Sequence, residues 1–317
     1  MEIQAKYVLL QNEFYGKILD TKFERWVLLE SVEIEINYNI NLNVYDVQRV
    51  IDIQHQVIYG KADTYIIIFS DAKFLNAAVS VLIGTLPVYA QLKGKHVYIR
   101  FRDKQSPVFE FIKKVGMYDF FTNSNEKPQY TKQRALPFNR IVNEDMMEEY
   151  TDKIMELAPI IMNDKASDVL SSYFFEIYQN SFSHSESEID VFSCGYWMEK
   201  QLIFSIYDMG VGIPYNVQHN IDCDMTSQEC IEWAFQEGTT TLDETIIKRG
   251  LGLSRLEKFI MLNDGTMSLY SHDICYTITN GMKKNMELNK PIKGTMIIIS
   301  IKADTEHMYI VDDEKDD

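Results

Sequence analysis

Three polar side chains of different chemistry recur at equal spacing in the segment 169–184. Glu176, Asn180 and His184 follow one another every four residues, and this spacing aligns side chains along one stripe of a helix. A carboxylate can orient and deprotonate a water molecule, and a carboxamide oxygen can bind Mg²⁺. The stripe is thus a candidate site for this chemistry, although the same residues alone are also typical of a solvated helix face.

A second group of candidate residues begins where an apolar strand pattern over 202–207 ends. Asp208 follows the strand directly, and Gly210 and Gly212 come after it at alternate positions. The carboxylate of Asp208 could accept a hydrogen bond from an exocyclic amine. Glycine has no Cβ and lets a backbone approach a ligand closely. Taken alone, the segment is equally consistent with a plain turn.

A third group precedes a predicted amphipathic helix and combines glycines with positive charges. Its members are Lys248, Arg249, Gly250 and Gly252. A helix N-terminus presents free N–H groups and a positive dipole end, both of which favour phosphate. The spacing matches neither the P-loop nor GxGxxG, and an ordinary helix cap is the alternative. A fourth, weaker signal is Thr295, which follows Gly294 just before a strand pattern over 296–301.

The elements that must position these residues can be read from hydrophobic periodicity. Residues 143–166 predict a helix, and from Asp168 onward the pattern predicts helix, strand, strand, long loop, helix, strand and strand. The helix over 169–184 has a predicted apolar face formed by Leu170, Phe174 and Ile177. The first half of the chain predicts alternating strands and helices, which indicates an α/β unit of roughly 120 residues. Its predicted strands cover 32–42, 65–69 and 96–101, and its predicted helices include 77–92 and 106–114.

Composition limits the classes of protein to which the chain can belong. Its 317 residues are 46% hydrophobic and 25% charged, which excludes disorder of the whole chain and suits two domains. The net charge of −16 opposes direct binding to nucleic acid or to an anionic membrane surface. The four cysteines form no CxxC pair and the first residues form no signal peptide, so we expect a reduced, cytoplasmic protein.

The four groups together, in this order, resemble the N, G1, G2 and G3 boxes of the GHKL (histidine kinase-like) ATPase superfamily. The resemblance covers about residues 165–302, and the Glu176, Asn180 and His184 form is similar to the anti-sigma-factor serine kinases. Residues 233–240 also resemble the segment that leads into the ATP lid of that family. The resemblance implies an α+β fold of the Bergerat type, a sandwich with left-handed βαβ connections in which helices cover one face of a mixed sheet.

The resemblance also implies a role for each matched residue. Asn180 would bind Mg²⁺, Glu176 would be the general base or would position the attacking water, and His184 would lie near the phosphates or have a structural role. Asp208 would bond the adenine amino group, and residues 215–249 would form the mobile lid. Gly210 and Gly212 would shape the adenine-side loop, and Thr295 would support the adenine end. The phosphates would be held by Gly250 and Gly252, with help from Lys248 or Arg249.

The first half of the chain is similar to a STAS domain, a class found in the antagonist proteins that such serine kinases phosphorylate. Where the antagonists carry a phosphorylated serine, this chain has Asn76 followed by Ala77, so a scaffold or dimerisation role is expected. We therefore expect a STAS-like domain over 1–125 and a connection over 126–150. The GHKL domain would cover 151–305, and an acidic tail would cover 306–317.

The implied function is an Mg·ATP-binding regulatory switch that hydrolyses ATP or transfers its γ-phosphate to a protein partner. The alternative is a non-catalytic, ATP-dependent switch or scaffold that binds a partner through its first domain. A separate STAS-like or sigma/anti-sigma-like protein is the expected partner, and a homodimer is a further expectation. A sensor histidine kinase is disfavoured, because neither His55 nor His96 lies in a convincing phosphoacceptor context.

Overall fold

A computed structural model describes residues 17–18, 31–122, 135–157, 164–198, 200–221, 224–239 and 252–302. The chain divides into two compact units, Met1–Gln133 and Arg134–Asp317. The first contains a parallel sheet and the second an antiparallel sheet, so the protein is a mixed α/β molecule of the α+β type. Among the helices that these ranges include, none is long and apolar enough to cross a membrane.

The first unit is built on a parallel sheet in the order β1-β4-β3-β2. Its strands are β1 (Lys17–Ile18), β2 (Ser31–Ile36), β3 (Thr64–Phe69) and β4 (His96–Phe101). Its helices are α1 (Val44–Tyr59), α2 (Ala77–Leu92), α3 (Pro107–Lys114) and α4 (Met117–Thr122). Strand β3 is buried along nearly its whole length, as expected for a central strand of a parallel sheet.

Strand β2 is shorter than its alternating pattern predicts. It ends at Ile36, and only Ile40 of the remaining pattern forms a β-bridge, with Leu75. The asparagines at 39, 41 and 43 make side-chain hydrogen bonds outside the strand ladder instead. Asn43 caps α1 by accepting a hydrogen bond from the N–H of Asp46.

The residue expected at the position of the STAS phosphoacceptor makes a structural contact. Asn76 is the N-cap of α2, and its side chain accepts a hydrogen bond from the N–H of Ala78 at 2.9 Å. It is only 5% exposed, and most of the helix that it caps is buried. An asparagine at this point is therefore well suited to begin a buried helix.

The second unit is built on a five-stranded sheet in the order β5-β6-β7-β9-β8. Its strands are β5 (Ala135–Ile141), β6 (Val191–Met198), β7 (Gln201–Asp208), β8 (Thr266–Thr279) and β9 (Met282–Lys302). Its helices are α5 (Glu144–Leu157), α6 (Asp164–His184), α7 (Ile213–Ile221), α8 (Ser227–Ala234) and α9 (Gly252–Leu262).

The expectation of a mixed sheet in this unit is wrong for the strands described. All four neighbouring pairs are antiparallel. Two of the pairs are joined by very short connections, and strands joined in this way must run in opposite directions. At one of them Asn280 and Gly281 have φ values of 51° and 69°, as a two-residue hairpin turn requires.

The core of the second unit lies between the helices and the sheet. Alternate residues of β7, namely Leu202, Phe204 and Ile206, share one buried cluster with Phe174 and Ile177 of α6. The cluster also contains residues of α5, α8 and α9 and of strands β5, β6, β8 and β9. The apolar face predicted for the segment 169–184 is therefore the face that packs on the sheet, and it fixes the rotation of α6.

Three boundaries differ from those predicted. The segment expected to connect the domains, 126–150, contains β5 and half of α5, because β5 pairs with β6 and belongs to the second unit. The helix predicted over 143–166 is two helices, α5 and α6. Pro159 lies between them in the sequence, and proline opposes an uninterrupted helix. The predicted long loop includes α7 and α8, the latter with a capping box from Thr226 and Glu229.

Candidate functional site

A cleft lies in the second unit between α6, the end of β7, the middle of β9 and helices α7 to α9. It brings together polar residues from all four candidate groups of the sequence. Those that line it are Asn180, His184, Asp208, Gly212, Gly252 and Thr295. Much of the remaining wall is apolar, as is usual for sites that bind small molecules.

Helix α6 supplies one wall of the cleft through residues spaced three and four apart. Asn180 and His184 line it together with Ile177 and Ser181, so these two members of the predicted stripe face the cleft, whereas Glu176 is not among its lining residues. Glu176 lies one turn before Asn180, and its Oε1 accepts a hydrogen bond from the backbone N–H of Gly252 at 2.7 Å. The carboxylate is therefore in contact with the start of α9.

Asp208 ends β7 and is almost completely buried, with 2% of its surface exposed. Its Oδ1 accepts hydrogen bonds from the N–H groups of Gly210 at 3.0 Å and Thr295 at 3.3 Å. Burial raises the pKa of the Asp208 carboxyl to about 7, although these bonds and the charge of Lys293 favour the ionised form. The side chain therefore lies at the cleft wall, fixed at one oxygen, with a pKa near neutrality.

The two glycines after Asp208 are needed for contacts within the protein. A Cβ added to Gly210 would lie 1.9 Å from the backbone oxygen of Ser185, and the next residue, Val211, donates its N–H to that oxygen at 2.8 Å. Gly212 has a φ of +83°, which L side chains rarely adopt. Gly212 lines the cleft, whereas Gly210 acts by letting the loop reach the end of α6.

Ser271 is a site residue that the sequence reasoning missed. Its buried hydroxyl accepts a hydrogen bond from the N–H of Ile213 at 2.9 Å and shares another with Oγ1 of Thr295 at 2.9 Å. It thus joins the start of α7 to the strand that carries Thr295. A lone serine in a strand carries no distinguishing signal, and only its strand register with Thr295 reveals the contact.

Helices α7 and α8 lie within the segment predicted to be a lid, and both contribute to the cleft. Asn216 of α7 is mostly buried and donates from Nδ2 to the backbone oxygen of His184 at 2.7 Å. Trp233 and Ala234 of α8 and Thr239 also line the cleft. These three belong to the segment predicted to lead into the lid, while Asn216 carried no motif and was missed.

Three predicted phosphate-binding residues lie outside the part of the chain that the structure describes. They are Lys248, Arg249 and Gly250. The fourth, Gly252, is the first residue of α9, an 11-residue helix. The backbone N–H groups of a first helical turn have no partner inside the helix and can bind an anion. Within the described part of the chain, Gly252 is thus the one member of the predicted phosphate-binding group that lines the cleft.

The donor set of the cleft fits a nucleotide-bound Mg²⁺ better than a metal held by protein alone. Within the described residues no group of three or more His, Cys, Asp or Glu side chains could hold a metal ion. Asn180 offers one carboxamide oxygen at the cleft wall. Protein-bound Mg²⁺ commonly keeps several waters and takes further oxygens from substrate phosphates, so a single side-chain ligand is compatible with it.

Comparison with known proteins gives no identity for the chain. No protein-family model matches it, and a search of curated proteins finds no significant match. The chemistry of the cleft is therefore the basis for assigning a function.

Proposed function

We propose that this protein binds Mg·ATP in the cleft of its second unit and uses it as a regulatory switch, either hydrolysing ATP or transferring its γ-phosphate to a partner protein. The observation that carries the proposal is the convergence of four separate sequence segments on one cleft. Asn180, Asp208, Gly252 and Thr295 come from different elements, and all four line it. Helices that pack on a sheet, as an α+β sandwich requires, support the proposal, although the described strand pairs are antiparallel where a mixed sheet was expected.

The adenine would bind at the Asp208 end of the cleft. An ionised carboxylate accepts hydrogen bonds, and the exocyclic amine of adenine donates them. Ile177 and Ile297 also line the cleft and offer an apolar surface on which the flat base can pack. The bonds from Gly210 and Thr295 to Oδ1 hold the carboxylate in a fixed orientation, which favours a defined position of the base.

The phosphates would bind at the start of α9, and Mg²⁺ would bind to the phosphates and to Asn180. The N-terminal dipole end of α9 favours negative charge, and the N–H of Gly252 is a donor at that end. Bound Mg²⁺ would neutralise charge on the phosphate oxygens during phosphoryl transfer. Glu176 lies within one helical turn of Asn180 and is the carboxylate closest in sequence to this metal ligand.

Glu176 would act as the general base. It would take a proton from a water molecule or from a serine or threonine hydroxyl as that oxygen bonds to the γ-phosphorus, while the bond to the β-phosphate oxygen breaks and ADP leaves. Phosphoryl transfer depends mainly on positioning and charge neutralisation, so one site can serve either acceptor. The STAS-like first unit would recruit the partner, which on this proposal is a separate STAS-like or sigma/anti-sigma-like protein, or a second copy of the chain.

The test is incubation of the full chain with Mg·[γ-³²P]ATP, alone and with cell extract. Free phosphate that disappears with Glu176→Gln would identify an ATPase, and an acid-stable labelled protein band would identify a serine or threonine kinase. The matched control is Glu188→Gln, which changes a carboxylate at an exposed position beyond the end of α6. Failure of ATP to bind in calorimetry would contradict the proposal.

A second candidate is a switch that binds ATP without appreciable turnover. The hydrogen bond from Gly252 to Glu176 favours it, because a carboxylate engaged with a helix N-terminus also has a structural use. Partner control that survives in Glu176→Gln, with no phosphate released by the unmodified chain, would support this candidate over catalysis.

A further inference from the structure

The contact between Glu176 and Gly252 joins two groups that the proposed function assigns to different tasks. Oε1 of Glu176 accepts the N–H of Gly252 at 2.7 Å. A Cβ on Gly252 would lie 2.6 Å from Cδ of Glu176, so a glycine is needed for the carboxylate to lie against the start of α9. The absence of a Cβ at Gly252 therefore makes this contact possible.

One backbone N–H makes one strong hydrogen bond at a time. The N–H of Gly252 is at the start of α9 and at the cleft wall, where a phosphate oxygen would accept it. While Glu176 holds this N–H, the phosphate lacks that donor, and one oxygen of Glu176 is engaged in the bond. The same negative charge also repels phosphate.

We propose that the Glu176 carboxylate and a nucleotide phosphate compete for the backbone N–H of Gly252, so that phosphate binding releases Glu176. This inference rests on the proposed function and describes how the same site is regulated. Without nucleotide the Glu176 carboxylate stabilises the N-terminus of α9, and a bound phosphate takes over that role. Glu176 is therefore released to act as a base only when a phosphate is bound. This opposes the abstraction of protons from other molecules in the cleft.

The Gly252 amide can be observed selectively in the full chain. Gly252 is the only glycine that follows a leucine, so ¹³C-carbonyl leucine combined with ¹⁵N-glycine gives a single amide signal in a carbonyl-correlated spectrum. We expect this signal to differ between the unmodified chain and Glu176→Ala before ligand is added. After saturation with Mg·ATP the chemical shifts of the Gly252 amide in the two proteins should become more similar. The amide should also show a scalar coupling to phosphorus.

Ligand affinities separate competition for the hydrogen bond from simple charge repulsion. Glu176→Gln removes the charge but keeps an oxygen that can accept the N–H, whereas Glu176→Ala removes both. We expect Glu176→Ala to bind ATP about threefold to tenfold more tightly than Glu176→Gln, in keeping with the loss of one competing hydrogen bond. Adenosine has no phosphate, and its affinity should be equal in the two variants.

Two results would overturn the inference while leaving the proposed function intact. One is a Gly252 signal whose dependence on Glu176 persists unchanged in the ATP-saturated chain. The other is equal affinity of the two variants for ATP. By contrast, ATP that fails to bind the unmodified chain would overturn the proposed function itself. The phosphorus coupling is measured in the unmodified chain, so the test also holds if Glu176→Ala does not fold.

Discussion

At the residue scale, Asp208 combines deep burial with a proposed adenine-binding role that requires a negative charge. Replacement by asparagine keeps the size of the side chain but offers the adenine amine a weaker, neutral acceptor. A hydrogen bond to a charged group contributes roughly 1.5–3 kcal/mol, so we expect Asp208→Asn to weaken adenosine binding about tenfold to a hundredfold in calorimetry. Unchanged affinity would remove Asp208 from the adenine site.

Adenosine binding should also depend on pH, because the pKa of Asp208 is raised to about 7. The ionised form is the stronger acceptor of the amine, so adenosine affinity should fall by up to about tenfold per pH unit below about 7, until it reaches the level of Asp208→Asn. Adenosine is the ligand of choice here, since it has no phosphate to titrate. The control is Asp208→Asn, whose affinity should stay level over the same range. A parallel fall in both proteins would assign the effect to another group.

The contribution of Asp208 to the free energy of unfolding should change with pH in the direction opposite to the adenosine affinity. Its pKa is about 7 in the folded protein and near 3.8 as a model value, so between these values the folded state binds more protons than the unfolded state. The contribution of Asp208 to the free energy of unfolding should therefore decrease by up to roughly 1.4 kcal/mol per pH unit as pH rises through this window, and level off above it. Urea unfolding of the unmodified chain and Asp208→Asn at about pH 5 and about pH 8 measures the difference. A difference that does not change with pH would contradict the expectation.

Asn180 should matter mainly when the metal is present. Loss of its carboxamide in Asn180→Ala removes the proposed Mg²⁺ ligand at the cleft wall. We expect ATP affinity to fall about tenfold with Mg²⁺ and to change little in EDTA, measured by calorimetry. Equal losses under both conditions would assign Asn180 to the nucleotide or to packing instead of the metal.

At the scale of elements, the loop between β7 and α7 is held against the end of α6 through Gly210. A methyl group there would meet the backbone oxygen of Ser185 at 1.9 Å, and backbone cannot move aside as a flexible side chain can. We expect Gly210→Ala to lower the free energy of unfolding by about 1–3 kcal/mol or more. Gly94→Ala is the control, because a Cβ at Gly94 meets nothing within 4 Å and adds only the strain of its positive φ. Equal losses in the two variants would show that the close contact is relieved without cost.

Other contacts between elements explain why the cleft keeps its shape. Ser271 links the start of α7 to Thr295, and Asn216 links α7 to the end of α6. The two bonds tie one helix to both the sheet and α6. The wall of the cleft is therefore positioned by Ser271 and Asn216, which belong to no recognisable motif. Each forms a hydrogen bond with a backbone group of another element.

At the scale of the whole molecule, the charge of −16 limits the class of partner. The phosphates of DNA repel a strongly acidic chain unless basic residues cluster, and no block of lysine and arginine appears in the sequence. The charge therefore favours a protein over a nucleic acid as the partner in the proposed switch.

The charge also makes the expectation of no direct nucleic-acid binding testable. We expect no shift of duplex DNA in an electrophoretic mobility assay even at about 50 mM salt, where electrostatic binding is strongest. Binding that weakens steeply as salt rises would reveal a basic surface that the net charge conceals.

Local pattern and spacing in the sequence predicted much of the scaffold correctly. The apolar face of α6 is the face that packs on the sheet, and helix α2 covers the predicted range 77–92. Hydrophobic periodicity works here because each of these elements buries one side or lies wholly in a core. The spacing of Asn180 and His184 on one helix likewise required only the geometry of the helix to be predicted.

Only the tertiary structure decided how distant segments meet. Glu176 and Gly252 are 76 residues apart, and Ser271 and Thr295 are joined by the register of two strands. The steric need for glycine at Gly210 comes from a backbone oxygen on another element. The sequence by itself determined elements such as α2, β3 and β4 and the stripe of polar side chains, because these depend on local periodicity. The pairing of β5 with β6 and of β7 with β9, the hydrogen bond between Glu176 and Gly252, and the role of Ser271 depend on packing between distant segments, which local pattern does not encode.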